Sequence, residues 1–255
     1  MNKNIFIILT ILVLLLIFVL KLYKDRNNLI LPAINYPSST NYKYNIYDDP
    51  NELVLKYVNL PYDYGYGSNS IPLAVSALLT KGPILELGTG RFSTPLFHKI
   101  SSDYDRFLIS VDTDPKWVQQ FVFYNLTKNH RIYHISDYPS MDRIPGQENT
   151  KWGLVLVDHT DGNFRHPRAK NYAQSSEIVI VHDAEKQVEN FYKYEENKLR
   201  QNFKYACKFS VFTSAQKNSY ISTLIMSNYI DLSVMEEIFN KIKTDFGHVS
   251  CDLSY

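Results

Sequence analysis

The chain has 255 residues, a formal net charge of +1 and 45% hydrophobic residues, which suits one α/β domain with a short appendage. Nucleic-acid binding requires a concentrated basic surface, and the near-neutral balance supplies none, so we expect no nucleic-acid partner. The two cysteines, Cys207 and Cys251, are too few for a disulfide framework or a four-thiolate zinc site. The sequence does not decide whether they pair.

An apolar segment lies close to the N-terminus. All but one of residues 5–20 are apolar, and the segment lengthens by three positions if Lys21 extends its ammonium group toward lipid headgroups. That length is close to what a membrane-spanning helix requires, and no small-residue cleavage site follows it. We predict a tail over residues 1–4 and a single-pass signal-anchor helix over residues 5–23, in preference to a cleaved signal peptide or a buried helix. Basic residues on both sides leave its orientation open.

The next segment, residues 24–50, is rich in Asn, Tyr, Ser and Pro and lacks apolar periodicity. It predicts a stalk between the membrane and one domain over residues 51–255. In a eukaryote this arrangement would place the domain in the lumen of the endoplasmic reticulum or Golgi. The glycosylation sequon at Asn125 is compatible with that location, but it is a weak signal in a chain so rich in asparagine.

Five short apolar runs recur along the chain. They lie at residues 83–88, 107–112, 131–136, 153–158 and 177–183. Each run is continuous rather than alternating, as expected of a parallel strand covered on both faces. Successive acids at their ends, from Glu86 to Asp183, are 21 to 26 residues apart, which leaves room for one crossover helix. The pattern predicts a doubly wound, open, Rossmann-like α/β sheet.

The remaining elements follow from caps and spacing. Predicted helices lie at residues 114–129, 184–202 and in the tail 231–255. The first of them is favoured by Asp114 as N-cap and Pro115 in the first turn. Two extended segments, residues 203–213 and 219–228, are too close together to enclose a crossover helix and are therefore expected to pair antiparallel. The expected sheet has seven strands and ends in this hairpin.

The first strand runs into the glycine loop ELGTG (86–90). Such a loop lets a ligand approach bare backbone near helix N–H groups. Asp112 ends the second strand, where an acid can accept hydrogen bonds from ribose hydroxyls. A nicotinamide dinucleotide site would prefer Gly or Ala at Ser93 and an apolar residue at Glu86, because a carboxylate beside a diphosphate is unfavourable. A cationic ligand without phosphate reverses that preference.

These segments resemble class I S-adenosylmethionine-dependent methyltransferases. ELGTG matches their acid-x-Gly-x-Gly motif, VDTD their ribose-binding acid and ISD their adenine-side acid, although Phe92 stands where a third glycine is frequent. The resemblance covers roughly residues 65–228 and implies S-adenosylmethionine as cofactor. The expected cofactor-binding residues are Glu86, Gly88, Thr89, Gly90, Ser93, Asp112 and Asp137. Purely structural roles for the three acids, as a strand-end acid, a helix cap and a turn residue respectively, remain the alternatives.

Two acid–histidine pairs follow the fourth and fifth strands, Asp158-His159 and His182-Asp183. They lie at the carboxyl edge, where open α/β sheets bind ligands. Methyl transfer to oxygen needs a positioned hydroxyl and a base, and histidine suits that task near neutral pH, so we predict these four residues as catalytic. Asp158 and Asp183 are also candidate ligands for a divalent metal, as in some catechol-type methyltransferases. Two carboxylates make an incomplete site, so a metal is possible but not favoured, and backbone hydrogen bonding is the alternative role of the histidines.

Three segments also resemble plant glucuronoxylan O-methyltransferases. They are DTDPKWV (112–118), WGLVLVD (152–158) and VHDAEKQVENFY (181–192). This resemblance implies a membrane-anchored enzyme acting on a glycan or small-molecule hydroxyl, although the loop at residues 158–169 departs from that family. In this loop, Arg165, His166 and Arg168 either bind an acidic acceptor or form an exposed basic loop. A NAD-dependent oxidoreductase and a catalytically inert lumenal binding domain are the alternative functions.

Overall fold

The computed structural model describes residues 45–58, 69–142, 150–213, 219–242 and 247–251, together with residues 14, 16, 17 and 144. Of the predicted span at residues 5–23, only Leu14, Leu16 and Ile17 are described, and they are helical and more than half exposed. The remainder of the span and most of the predicted stalk lie outside the described residues. Within the described part of the chain, no helix has the length and apolar character needed to cross a membrane.

The unit formed by Tyr36–Met141 and Lys151–Tyr255 is built on an eight-stranded sheet. Its strands are β1 (Ile84–Leu87), β2 (Leu108–Asp112), β3 (His130–His134), β4 (Trp152–Val157), β5 (Ser176–Val181), β6 (Tyr205–Thr213), β7 (Ser219–Ser227) and β8 (Gly247–Ser250). The spatial order is β3-β2-β1-β4-β5-β7-β6-β8. Strands β1 to β5 pair parallel, whereas β7, β6 and β8 pair antiparallel. The prediction of a mostly parallel, Rossmann-like sheet with an antiparallel hairpin is confirmed.

The prediction of seven strands is wrong by one. The tail contains a shorter helix than expected and then β8, which pairs with β6 from Lys208↔Ser250 to Val211↔Gly247. Without β8, the outer edge of β6 would present unpaired backbone groups, which sheets usually cover. The disulfide between Cys207 on β6 and Cys251, the residue after β8, joins these two strands covalently.

The helices are shorter than the sequence pattern predicts. They are α1 (Pro50–Leu55), α2 (Ser70–Leu79), α3 (Ser93–Asp103), α4 (Pro115–Gln119), α5 (Gly162–Asn171), α6 (Glu189–Tyr192) and α7 (Val234–Lys241). Asp114 caps α4 as expected, but the α-helix ends at Gln119 and a 3₁₀ helix follows over Val122–Leu126. Within that segment, the Asn125 side-chain amide pairs with the backbone of Ile132 on β3.

The helix predicted over residues 184–202 is also broken. It consists of a 3₁₀ turn, α6 and a second 3₁₀ turn, with left-handed backbone at Lys193 and Lys198. Conversely, the segment expected to be a loop at residues 158–169 contains most of α5, which Asp161 caps by accepting from the Asn163 N–H.

Helices cover both faces of the sheet. On one face, Leu154 and Ile180 belong to the same apolar cluster as Phe97 of α3 and Met235 of α7. Strand residues alternate between faces, and on the other face α5 contacts β4 and β5. Ile46 is buried in the same apolar cluster as Leu154 and Phe97. The packed domain therefore begins a few residues before position 51, where the sequence predicted its start.

Candidate functional site

Gly88 directly follows β1 and has a left-handed backbone, at φ 100°. A Cβ atom there would lie 2.5 Å from the carbonyl oxygen of Asp158 and 2.6 Å from the His159 nitrogen. Only glycine satisfies both the backbone conformation and this close approach. The glycine loop therefore meets the first acid–histidine pair, and the two halves of the site predicted from the sequence adjoin at this point.

Glu86 is fully buried at the end of β1. Both of its carboxylate oxygens accept from the Thr94 hydroxyl at 2.9 Å, and Ser110 and Ser93 also hydrogen-bond to it. Burial raises the pKa of Glu86 to about 7, although these hydroxyl groups oppose the shift. Thr94 Oγ1 also accepts from the Gly90 N–H at 2.9 Å. Glu86 thus fastens the glycine loop to the first turn of α3, and Ser93 is engaged there rather than free.

Asp112 ends β2 and is 8% exposed. Its Oδ2 accepts from the backbone N–H and the hydroxyl of Thr89, at 2.9 and 3.1 Å, and its Oδ1 accepts from the Asp114 N–H at 3.1 Å. A carboxylate has about four acceptor positions, so Asp112 retains capacity for a ribose hydroxyl. Trp117 completes the support by donating from Nε1 to the Thr89 carbonyl at 2.7 Å. Sequence reasoning missed Trp117, whose only signal was its closeness to Asp112.

Asp137 differs from the other two acids because it is exposed. It accepts from the Ser140 N–H at 2.8 Å and from the Ser136 hydroxyl at 3.0 Å, which fixes the start of the 3₁₀ helix Tyr138–Asp142. The structure therefore gives Asp137 the turn role, and its cofactor role stays a prediction.

The second half of the site is organised by Arg165, which is 4% exposed. Its guanidinium pairs with Asp158 at 3.1 Å and with Asp183 at 3.0 Å. It also donates to the backbone carbonyls of His159 and His182, at 2.6 and 3.2 Å. Arg165 is therefore neither part of an exposed basic loop nor free to bind an acidic acceptor. The sequence offered no signal for this role, which arises because α5 begins directly after β4 and returns over the strand ends.

His182 lies between the same two carboxylates, with Nδ1 3.5 Å from Asp158 Oδ1 and 3.3 Å from Asp183 Oδ1. Burial lowers the pKa of His182, but the charges of Asp158 and Asp183 outweigh burial and raise it to about 9. The ring is therefore cationic at neutral pH. Asp183 has a left-handed backbone at φ 57°, a conformation that is uncommon outside glycine and that clusters at functional sites. Tyr192 donates its hydroxyl to Asp183 at 2.8 Å.

His159 has the opposite electrostatic character. It is 2% exposed, and among the described residues neither ring nitrogen has a hydrogen-bond partner of good geometry. Burial lowers its pKa to about 4, so the ring is neutral at pH 7. Its centroid lies 5.1 Å from that of Tyr138. The two histidines of the predicted catalytic set are therefore not equivalent.

The residues of this site do not fit a divalent metal. Asp158, His182 and Asp183 each offer a ligand atom, and these atoms lie within 4.8 Å of one another. However, Arg165 already pairs with both carboxylates, and its charge together with that of protonated His182 balances theirs. A divalent cation would have to displace a buried guanidinium, so we derive no chemistry through a metal.

Several solved structures are similar to this chain. A spermidine synthase in complex with the transition-state analogue AdoDATO is 11% identical, with a TM-score of 0.51 over 72% of this chain and 67% of that chain. The human methyltransferase 10 domain containing protein is 13% identical, with a TM-score of 0.46 over 67% and 86%. The METTL16 methyltransferase domain is 11% identical, with a TM-score of 0.44 over 58% of this chain and only 60% of that chain. No protein-family model and no curated protein matches the chain. At these identities the similarity shows a shared fold.

Proposed function

We propose that this chain is an S-adenosylmethionine-dependent methyltransferase that acts on an oxygen atom of a glycan or small-molecule acceptor. The observation that carries the proposal is the pair of acids Glu86 and Asp112 at one glycine loop: Asp112 accepts from Thr89 of the loop, and Glu86 accepts from the Thr94 hydroxyl, which in turn accepts from the Gly90 N–H. S-adenosylmethionine has an ammonium group, a sulfonium centre and no phosphate, so carboxylates attract it. The same carboxylates would repel the diphosphate of a nicotinamide dinucleotide.

The residues around the loop fit this cofactor. Asp112 keeps acceptor positions for the ribose hydroxyls, Glu86 supplies negative charge, and the bare backbone at Gly88 permits close approach. When bound, S-adenosylmethionine would supply an electrophilic methyl group on sulfur. The chain's own contribution is to hold that group beside Asp158, whose carbonyl adjoins Gly88.

Asp158 and His182 then act on the acceptor hydroxyl. Asp158 uses Oδ1 for Arg165 and His182, and we assign it to holding the His182 ring in position toward the acceptor hydroxyl. Neutral His182 would accept the hydrogen bond of that hydroxyl and take its proton as the methyl group passes from sulfur to oxygen, which would leave S-adenosylhomocysteine. Since the pKa of His182 is raised to about 9, we expect turnover to rise with pH through the neutral and mildly alkaline range.

The acceptor assignment rests on charge and on exposed aromatic surface. Arg165 and Arg168 are both 4% exposed, so neither presents its charge to the phosphates of a nucleic acid, and we retain the prediction of no nucleic-acid partner. Phe191 is 58% exposed and packs edge-on against Tyr192, which touches Asp183. This ring offers a flat apolar surface beside the site, suited to the C–H face of a sugar.

A membrane-anchored, lumenal location is the second part of the proposal. Residues 5–23 supply the anchor, and the Cys207–Cys251 disulfide supports an oxidising compartment, where such bonds persist. Alkylation of intact membranes under non-denaturing and then denaturing conditions tests this. We expect no thiol to react before reduction. Reaction of both cysteines in unreduced, denatured protein contradicts a lumenal location.

Calorimetric titration of the full chain in detergent with S-adenosylhomocysteine and with NAD tests the cofactor assignment. We expect binding of S-adenosylhomocysteine alone, and a loss of at least tenfold in affinity for Asp112→Asn. Asp114→Asn is the matched control, because Asn caps a helix as well as Asp and the Asp114 side chain serves only α4. Binding of NAD alone contradicts the proposal, and binding of neither ligand favours an inert domain.

A further inference from the structure

A line of buried polar side chains leads away from Glu86 across the sheet. Ser110 on β2 is the register partner of Glu86 on β1 and its hydroxyl lowers the pKa of Glu86, and Ser110 Oγ lies 2.9 Å from His130 Nε2 on β3. His130 Nδ1 lies 3.1 Å from His98 Nδ1 on α3. Ser110 and His130 are fully buried, whereas His98 is partly exposed. The line therefore connects a carboxylate without solvent contact to the surface.

The hydrogen positions along this line are fixed by the charge of Glu86. The Ser110 hydroxyl has one proton and two competing acceptors, the Glu86 carboxylate and His130 Nε2. An ionised carboxylate is the stronger acceptor, so His130 must then carry its proton on Nε2 and donate it to Ser110. His130 Nδ1 is left as an acceptor, and His98 must donate to it from Nδ1. Every donor points toward Glu86.

Protonation of Glu86 reverses all of these bonds. The Glu86 O–H donates to Ser110, Ser110 donates to His130 Nε2, and His130 donates from Nδ1 to His98. One proton enters at His98 Nε2, one moves across each hydrogen bond, and one arrives at Glu86, so that both histidines change tautomer and neither gains net charge. The two end states differ by a single proton on the carboxylate.

We propose that Ser110, His130 and His98 are positioning residues that form a proton relay to Glu86 and switch the cofactor end of β1 between an anionic and a neutral state. The proposal rests on the function proposed above, since it assigns Glu86 to a cationic ligand. Loss of the negative charge weakens attraction for an ammonium group, so cofactor affinity falls as the pH drops through the protonation of Glu86.

The groups that face the relay are consistent with this role. Burial raises the pKa of Glu86 to about 7, with Asp158 adding to the shift, which places the change near neutral pH. Burial, with help from His98 and Arg131, lowers the pKa of His130 to about 3, so His130 passes protons as a neutral ring. The Tyr124 ring lies 4.2 Å from that of His98 and 5.6 Å from that of His130 and covers both.

The test is the pH profile of S-adenosylhomocysteine affinity, measured by calorimetry on the full chain. Ser110→Ala removes one donor from the ionised Glu86 carboxylate. The pH midpoint of the affinity profile should therefore rise by about one pH unit, and affinity at pH 7 should fall roughly fivefold. His98→Phe keeps the contact with Tyr124 but leaves the His130 Nδ1–H without its acceptor when Glu86 is protonated, so a smaller, downward shift is expected. Ser76→Ala is the control, because Ser76 is equally buried and its hydroxyl has no partner among the described residues.

Weaker binding at every pH with an unchanged midpoint in both variants overturns the relay, since a purely structural role predicts that result. Carbon-13 NMR titration of the Glu86 carboxyl, assigned with Glu86→Gln, gives a readout that needs no ligand. The same ordering of midpoints is expected there. If the wild type binds no S-adenosylhomocysteine at any pH, the proposed function fails, and the NMR midpoints still decide the relay.

Discussion

Two buried arginines lie at opposite ends of the parallel strands, and they have different partners. Arg106, which is 5% exposed and precedes β2, donates to the carbonyls of Gly82 and Ala77 and to the Thr80 hydroxyl. All of these acceptors are neutral. Arg165, at the carboxyl ends, pairs instead with two carboxylates beside a protonated imidazole. Residue type and burial are the same, but Arg165 bridges two carboxylates beside a protonated imidazole, whereas the acceptors named for Arg106 are neutral.

The difference separates a structural use of arginine from a functional one. Arg106 satisfies backbone carbonyls that any fold must pair. The fold itself does not require Asp158, Asp183 or His182 to be charged, because apolar residues often replace a buried ion cluster with no loss of stability. The left-handed backbone at Asp183 adds a further local cost. The carboxyl edge of the sheet contains both the buried ion cluster and this left-handed residue. The chemistry proposed for that edge explains why both are present.

Substitution of each arginine should give the largest effects on the free energy of unfolding, and the two losses should differ. Arg165→Met leaves two carboxylates without their shared cation, and we expect a loss of about 3–5 kcal/mol in the free energy of unfolding. Arg106→Met leaves neutral acceptors unpaired and should cost about 1–3 kcal/mol. Denaturant unfolding at pH 7 measures both. Arg165→Lys, which keeps a charge but cannot bridge two carboxylates, should fall between wild type and Arg165→Met.

The pH dependence of the two losses in stability distinguishes the two arginines further. Protonation of Asp158 removes part of the uncompensated charge, so the cost of Arg165→Met should shrink as the pH falls, whereas the pH dependence of Arg106→Met should be limited to Glu177, whose pKa Arg106 lowers. Equal costs with equal pH dependence would show that the two edges use arginine in the same way.

His182 gives the next largest expected effect. Its pKa is about 6.5 when unfolded and about 9 when folded, so it contributes stability that is complete below pH 6.5 and is lost as the pH rises through 9. The loss is at most about 3 kcal/mol. His182→Gln should flatten the stability profile over this window, whereas the exposed His134→Gln should not. Glu86 affects stability mainly below this window. Its pKa is raised from 4.5 to about 7 on folding, so its contribution to stability is lost as the pH rises between these two values.

What the sequence predicts well is whatever depends on local pattern. Continuous apolar runs specify the parallel strands, and the loop at residues 86–90 predicts its own place at the end of β1. Strand β8 escaped notice because its four residues have no such run, and pairing with β6 decides its conformation. The break at Lys193 is likewise a tertiary outcome, since the local composition favours a helix.

The site shows the same limit more sharply. His159 and His182 have symmetrical positions in the sequence, each beside an aspartate after a strand. Their pKa values diverge to about 4 and about 9 because only His182 lies between two carboxylates. Arg165 lies seven positions after Asp158 in a segment without any motif. Its role depends on where α5 returns over the sheet, which no local pattern encodes.

The smallest expected effect is the response of the wild type to divalent cations. With Arg165 and His182 balancing two carboxylates, we expect no saturable binding of Mn²⁺ by electron paramagnetic resonance and no change in melting temperature on adding EDTA. Arg165→Met turns the same cluster net negative, and this variant should acquire Mn²⁺ binding that Asp183→Asn then abolishes. Mn²⁺ binding by the wild type that is lost in Asp183→Asn would mean that a metal can displace the guanidinium. In that case, Arg165 would control access to a metal site. It would not be the permanent partner of the two carboxylates that distinguishes this end of the sheet from the end where Arg106 lies.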